Sequence, residues 1–119
     1  MTFEAVRKIA LSLEGVTEGP SYGTPGFFVK RALFARWRPD LDSLVLRVDF
    51  ERRAAMMEED PETYYITDHY LNYEWVLARL ARVEPDAMAD LLRMAWKTPA
   101  GARQATKSPK PASIKRIRS

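Results

Sequence analysis

Leu33-Phe34-Ala35-Arg36-Trp37-Arg38-Pro39-Asp40-Leu41-Asp42-Ser43-Leu44-Val45-Leu46-Arg47-Val48-Asp49 is the stretch that decides the fold. Pro39 to Asp42 carries the residues of a tight turn. On its far side, Ser43 to Val48 alternates, with Leu44, Leu46 and Val48 on one face and Val45 and Arg47 on the other, the period of a β-strand. On its near side, Leu33 to Arg38 reads as the antiparallel partner. Asp49 is placed to cap a helix over Phe50 to Glu59, with Phe50, Ala54 and Met57 as its apolar side and Pro61 beyond its end.

Upstream, Phe27-Phe28-Val29 is a short strand and Lys30-Arg31 the turn that joins it to Leu33, so the centre of the chain is a three-stranded antiparallel meander. Gly19-Pro20-Ser21-Tyr22-Gly23-Thr24-Pro25-Gly26 reads as a loop on composition. Before it, Thr2 caps a helix whose apolar face is Phe3, Val6, Ile9/Ala10 and Leu13, stopped near Gly15. Downstream come a strand at Tyr64 to Thr67, a loop at Asp68 to Tyr73 and a strand at Glu74 to Leu80. In that last strand Val76, Ala78 and Leu80 face opposite to Trp75, Leu77 and Arg79. A helix starting at Pro85 carries Met88, Leu91/Leu92, Ala95 and Trp96 and ends before Pro99. The predicted order is α-β3-α-β2-α: an α+β domain over residues 1–98, an antiparallel sheet with helices mainly on one face.

The 119 residues carry 19 Lys and Arg, 16 Asp and Glu, one His and no Cys, a formal +3. That charge is unevenly spread. Residues 1–96 hold twelve cations against sixteen anions, a net −4, whereas residues 97–119 hold seven cations and no acid. Residues 99–119 form a basic tail rich in Pro, Ser and Lys, and Lys107, Lys110, Lys115, Arg116 and Arg118 would attract an anionic partner or keep the chain soluble.

Several chemistries are excluded or disfavoured. No cysteine means no disulfide framework and no thiol nucleophile, and a single histidine leaves no ligand set for a buried zinc ion. No phosphate-binding loop, dinucleotide fingerprint or nucleophile elbow is present. No apolar run approaches about 18 residues, and the start lacks the basic-then-apolar order of a signal peptide. The expectation is a cytoplasmic protein with no membrane association, no cofactor and no catalytic set.

His69 is either a loop residue packed on Tyr70 and Tyr73 or a general base beside Asp68. Neighbours in extended chain point to opposite sides, so Asp68 is poorly placed to orient it. Glu58, Glu59, Asp60 and Glu62 make a solvated helix end or a weak cation attractor. Tyr64, Tyr65, Tyr70, Tyr73 and Trp75 crowd one region, as a core with hydroxyls at its edge or as a stacking surface. If Arg36 and Arg38 share the face of Arg47 and Arg79, four arginines and Trp75 lie on one open side of the sheet. Arginine with interleaved aromatics is the chemistry of nucleic-acid platforms. The alternative is a solvated face whose arginines pair with Asp49, Glu51 or Glu74.

The spacing of Phe27-Phe28-Val29, Leu33-Phe34-Ala35, Leu44-x-Leu46-x-Val48-Asp49, Pro61-x-x-Tyr64, the His69 loop, Trp75-Val76 and Leu91-Leu92-x-x-Ala95 resembles the MmcQ/YjbR-like family of small bacterial proteins. The resemblance covers most of residues 1–97. It implies a sheet like that of frataxin/CyaY and of type III secretion chaperones, and DNA binding through a "double wing" of hairpins. It implies no catalytic residues. The wings here would be the Lys30/Arg31 hairpin, the turn at Pro39–Asp42 and the loop Asp68–Tyr73. Lys30 and Arg31 suit a phosphate contact; Asp40, Asp42 and Asp68 do not. The expected function is non-enzymatic, sequence-independent DNA binding by Lys30, Arg31, Arg36, Arg38, Arg47 and Arg79 with the tail cations. The alternative is a protein- or peptide-interaction module of the secretion-chaperone type.

Overall fold

The computed structural model describes residues 1–100. The basic tail, with Lys107, Lys110, Lys115, Arg116 and Arg118, lies outside the described residues apart from its first two positions.

Helix α1 spans Phe3–Leu11, its N-terminus closed by the Thr2 hydroxyl accepting from the Ala5 N–H at 3.2 Å. Strands β1 (Val16–Ser21), β2 (Thr24–Val29), β3 (Ala32–Arg38) and β4 (Ser43–Arg47) follow as consecutive antiparallel neighbours. Helix α2 spans Phe50–Glu59, capped by Asp49, whose carboxylate accepts from the Arg52 N–H at 2.7 Å. Strands β5 (Tyr64–Tyr65) and β6 (Trp75–Arg79) and helix α3 (Pro85–Lys97) complete the chain. The sheet runs β1-β2-β3-β4-β6-β5, antiparallel throughout. The expected α+β class holds.

One strand was not expected. Residues 19–26, read as a loop, form the end of β1, a two-residue turn and the start of β2. Tyr22 and Gly23 both have positive φ, 53° and 82°, the signature of the primed turn whose twist matches paired strands. The glycines and prolines that resemble loop punctuation face one another across the pair, Gly19 opposite Gly26 and Pro20 opposite Pro25. Gly26 has a steric reason: a Cβ there would lie 2.7 Å from Leu33 Cδ1 and 3.0 Å from Ser21 Cβ, so only glycine allows the approach.

The core lies between the sheet and the helices. Phe27, Phe34, Leu44, Leu46, Val48, Val76, Ala78 and Leu80 meet Val6 and Ala10 of α1 and Met88, Leu91, Leu92 and Ala95 of α3. Helix α2 turns inward differently from its expected face. Phe50 and Ala54 are exposed, and the inward positions are Arg53, Met56 and Met57. Among the described residues no helix is long and apolar enough to cross a membrane.

Candidate nucleic-acid interface

The far side of the sheet follows from register. Arg36 sits opposite Val45, and Val45 opposite Leu77; Arg38 sits opposite Ser43, and Ser43 opposite Arg79; Arg47 sits opposite Trp75. Because side chains alternate across a strand, Arg36, Arg38, Arg47, Arg79 and Trp75 share one face, as the sequence suggests. That face is not open along its whole width. The segment after β5 folds over it, and Tyr70 buries its ring against Val45 and Leu77 with Leu41, Tyr65, Ile66 and Trp75 around them.

Arg53 of α2 fastens this segment. Its Nη1 donates to the carbonyls of Tyr70 (3.0 Å), Tyr73 (2.7 Å) and Trp75 (3.1 Å), and its Nη2 to that of Leu71 (3.0 Å). The side chain is 8% exposed. Burial pushes its pKa below the usual arginine value, and the nearby charge of Glu74 opposes that. A guanidinium has five donors in a fixed plane and remains charged under all ordinary conditions, so this buried one, with no carboxylate in hydrogen-bond contact, is held by carbonyl dipoles. An arginine at an inward helical position looks like a solvent residue in sequence, and only its three- and four-residue spacing from Met56 and Met57 points inward.

The folded segment leaves a cleft of about 610 Å³ along its edge. The sheet provides Leu33, Arg36, Arg38, Val45 and Trp75; the β1–β2 turn provides Tyr22; the segment provides Thr67, His69, Tyr70 and Tyr73. Arg36 and Arg38 converge on one oxygen, the Tyr70 hydroxyl, at 3.4 Å and 2.9 Å from their Nη1 atoms. Arg36 also donates from Nε to the Ser21 carbonyl at 3.0 Å, and its guanidinium lies 5.1 Å from the centre of the Tyr22 ring. Arg38 forks onto Asp40, Nε to Oδ1 at 3.0 Å and Nη2 to Oδ2 at 2.7 Å. That fork holds the Asp40 carboxyl below its usual range and raises Arg38. No carboxylate lines the cleft among the described residues.

The other sequence-derived candidates are placed differently. Arg47 is 6% exposed, donates from Nη1 to the Leu33 carbonyl at 3.1 Å, and leaves its Nε without a partner. Burial lowers its pKa. Enclosed in this way it braces β3 against β4, and its guanidinium is not presented as a surface fork. Arg79 lies over the Tyr65 ring at 3.9 Å and donates to the Glu62 carbonyl at 2.9 Å, outside the cleft. Lys30 and Arg31 form the exposed β2–β3 turn, both at positive φ (52° and 68°), at the opposite end of β3 from Arg38. The pairings with Asp49, Glu51 or Glu74 do not form: Asp49 caps α2, Glu74 accepts from the Phe50 N–H at 3.4 Å, and the one carboxylate on the cleft arginines is Asp40. His69 packs edge-on to Tyr70, ring centres 4.9 Å apart at 85°. Tyr22, hidden in an apparent loop, and Arg53 are the two contributors that composition does not reveal.

The chain matches the YjbR family model over residues 11–98. Among solved structures it is similar to the crystal structure of protein DR2400 from Deinococcus radiodurans, whose domain is named DUF419, at 23% identity over 80% of this chain and 75% of that one, with a TM-score of 0.68. That likeness is one of fold. No curated protein matches.

Proposed function

The chain belongs to the YjbR family, and from that premise we propose that it binds DNA without sequence preference and without catalysis, taking single-stranded segments along the cleft edge of the sheet. One observation carries this reading. Two arginines converge on the Tyr70 hydroxyl in a cleft with aromatic walls and no carboxylate. Arginine forks suit phosphate oxygens, and exposed rings accept any base by stacking. Tyr22 is 89% exposed and Tyr73 56%, so both rings are available. Lys30 and Arg31 extend the track from the far end of β3, five strand residues or about 17 Å from Arg31 to Arg36. Residues 97–119 add seven cations of sequence-independent attraction, which offsets the acidic body and belongs with a cytoplasmic DNA ligand.

The test is salt dependence. Four phosphate contacts by Lys30, Arg31, Arg36 and Arg38 give a log–log slope of about −2.8 on single strands, or about 50-fold weaker binding between 50 and 200 mM salt, before the tail adds its share. Replacing Arg36 and Arg38 by Ala in the full chain lowers the slope by about 1.4. A slope unchanged by that double substitution would remove the cleft from the account.

A second reading, peptide binding, draws on β1, which has no strand on its outer side among the described residues. An extended peptide could add there. Binding that ignores salt and the cleft arginines favours it.

A further inference from the structure

The cleft has the size and chemistry of a site for one small ligand, beyond a track for a chain. Its volume of about 610 Å³ falls within the roughly 300–1,000 Å³ of small-molecule sites, which are mostly apolar with a few convergent polar groups. Here the convergent groups are cations. Arg38 spends its fork on Asp40, but Arg36 does not: its Nε and Nη1 are engaged, and its Nη2 has no hydrogen-bond partner among the described residues. Arg36 is also oriented by the β1–β2 hairpin, through the Ser21 carbonyl at 3.0 Å and the Tyr22 ring. It is a prepositioned guanidinium with donors to spare, the arrangement that binds a phosphate through charge-assisted bonds.

The aromatic rims stand on backbone that the fold sets. Tyr22 occupies a turn position at φ 53°, a conformation seldom adopted by a non-glycine residue, and its ring stays exposed beside the cleft instead of packing into the core. Tyr73 is fixed through its own carbonyl, 2.7 Å from Arg53 Nη1. Trp75 and His69 complete a wall of rings. A planar aromatic group on the rings and a single phosphate on Arg36 satisfy both halves of the cleft together.

We propose that the cleft is a binding site for one nucleoside monophosphate unit, with the base against the Tyr22, Tyr73 and Trp75 rings and the phosphate on Arg36. The proposal rests on the nucleic-acid reading and narrows it: the unit recognised is a single nucleotide. The same chemistry is offered by a free mononucleotide and by the phosphorylated end of a DNA strand.

The test is isothermal titration of the full chain with thymidine 5′-monophosphate, thymidine, and oligothymidylate with and without a 5′-phosphate. Three variants accompany it: Tyr22→Ala, Arg36→Gln and, as a control on the helix side, Arg93→Ala. The monophosphate binds one per chain. Loss of the phosphate or of Arg36 weakens binding by about tenfold or more, as expected for a charge-assisted contact. Tyr22→Ala weakens it by at least about fivefold, as for loss of a stacked ring, and Arg93→Ala leaves it unchanged. A preference for the 5′-phosphorylated strand identifies a strand end as the source, and equal strands identify the free nucleotide. If the oligonucleotide binds through the arginines but the mononucleotide does not, the inference falls and the DNA reading stands. If neither ligand binding responds to the cleft variants, both fall. Tyr22 is 89% exposed, so its substitution keeps the fold even if Arg36→Gln does not.

Discussion

Arg53 is the residue on which the cleft depends, and Arg53→Met is the sharpest perturbation of it. The thioether conserves much of the volume and removes the donors. Four carbonyls lose a cationic partner: those of Tyr70, Leu71, Tyr73 and Trp75, all within 3.1 Å of the guanidinium. Each hydrogen bond to a charged group is worth about 1.5–3 kcal/mol, but four do not add. The segment can lift and hydrate its carbonyls, and the wild type already bears the cost of burying a cation with no carboxylate hydrogen-bonded to it. A net loss of about 3–4 kcal/mol is expected, within the range for breaking a buried charged network. For a domain of this size that lowers the melting temperature by roughly 12–30 °C. The loss should be local in its mechanism. Amide exchange of residues 68–75 should accelerate before that of β4 and α3, because the segment opens without unfolding the sheet. The assays are calorimetric melting and hydrogen exchange on the full chain. A variant that melts within about 3 °C of wild type, with unchanged protection over residues 68–75, would refute the clamp. Arg53→Lys tests the geometry, since one ammonium cannot reproduce a planar fork across four acceptors, and it should fall between wild type and Met.

Other consequences are independent of the clamp. Gly26→Ala drives a methyl to 2.7 Å from Leu33 Cδ1 and should cost about 1–3 kcal/mol in urea unfolding. Replacing Lys30-Arg31 by Asn-Gly relieves positive φ at both positions; it should stabilise the chain by about 1 kcal/mol while weakening DNA binding, so a loss of stability would contradict the turn assignment. Glu18 accepts two bonds from Arg7, at 2.8 and 2.9 Å, and its pKa is lowered chiefly by them. A carboxylate lowered on folding stabilises above its unfolded value, about 4.3, and loses that contribution as pH falls through the folded one. Glu18→Gln should therefore cost stability at pH 7 and flatten the stability–pH curve as pH falls below the unfolded value, read by denaturant midpoints.

The faces of the central strands were legible in the sequence because period-two patterning is dictated by burial. Leu44, Leu46 and Val48 oppose Val45 and Arg47 as expected, and Val76, Ala78 and Leu80 oppose Leu77 and Arg79. That also carried Arg36 and Arg38 to the right side. The β1–β2 hairpin was illegible because its glycines and prolines serve close cross-strand approach while resembling loop punctuation. Helix α2 was misread because the scale that ranks residues by polarity cannot anticipate an arginine buried on carbonyls. The segment over the face is a tertiary event: Tyr70 and Tyr73 were visible as an aromatic cluster, but nothing local indicates that Tyr70 folds back onto Val45 and Leu77.

The cleft, and not the tail alone, is where the nucleotide is expected to bind. The direct measurement is a two-dimensional amide NMR titration of the full chain with a short oligothymidylate. Saturable shifts are expected at Tyr22, Arg36, Arg38, Tyr70 and Tyr73, with the helix side still. Shifts confined to residues 101–119, or centred on α1 and α3, would contradict this.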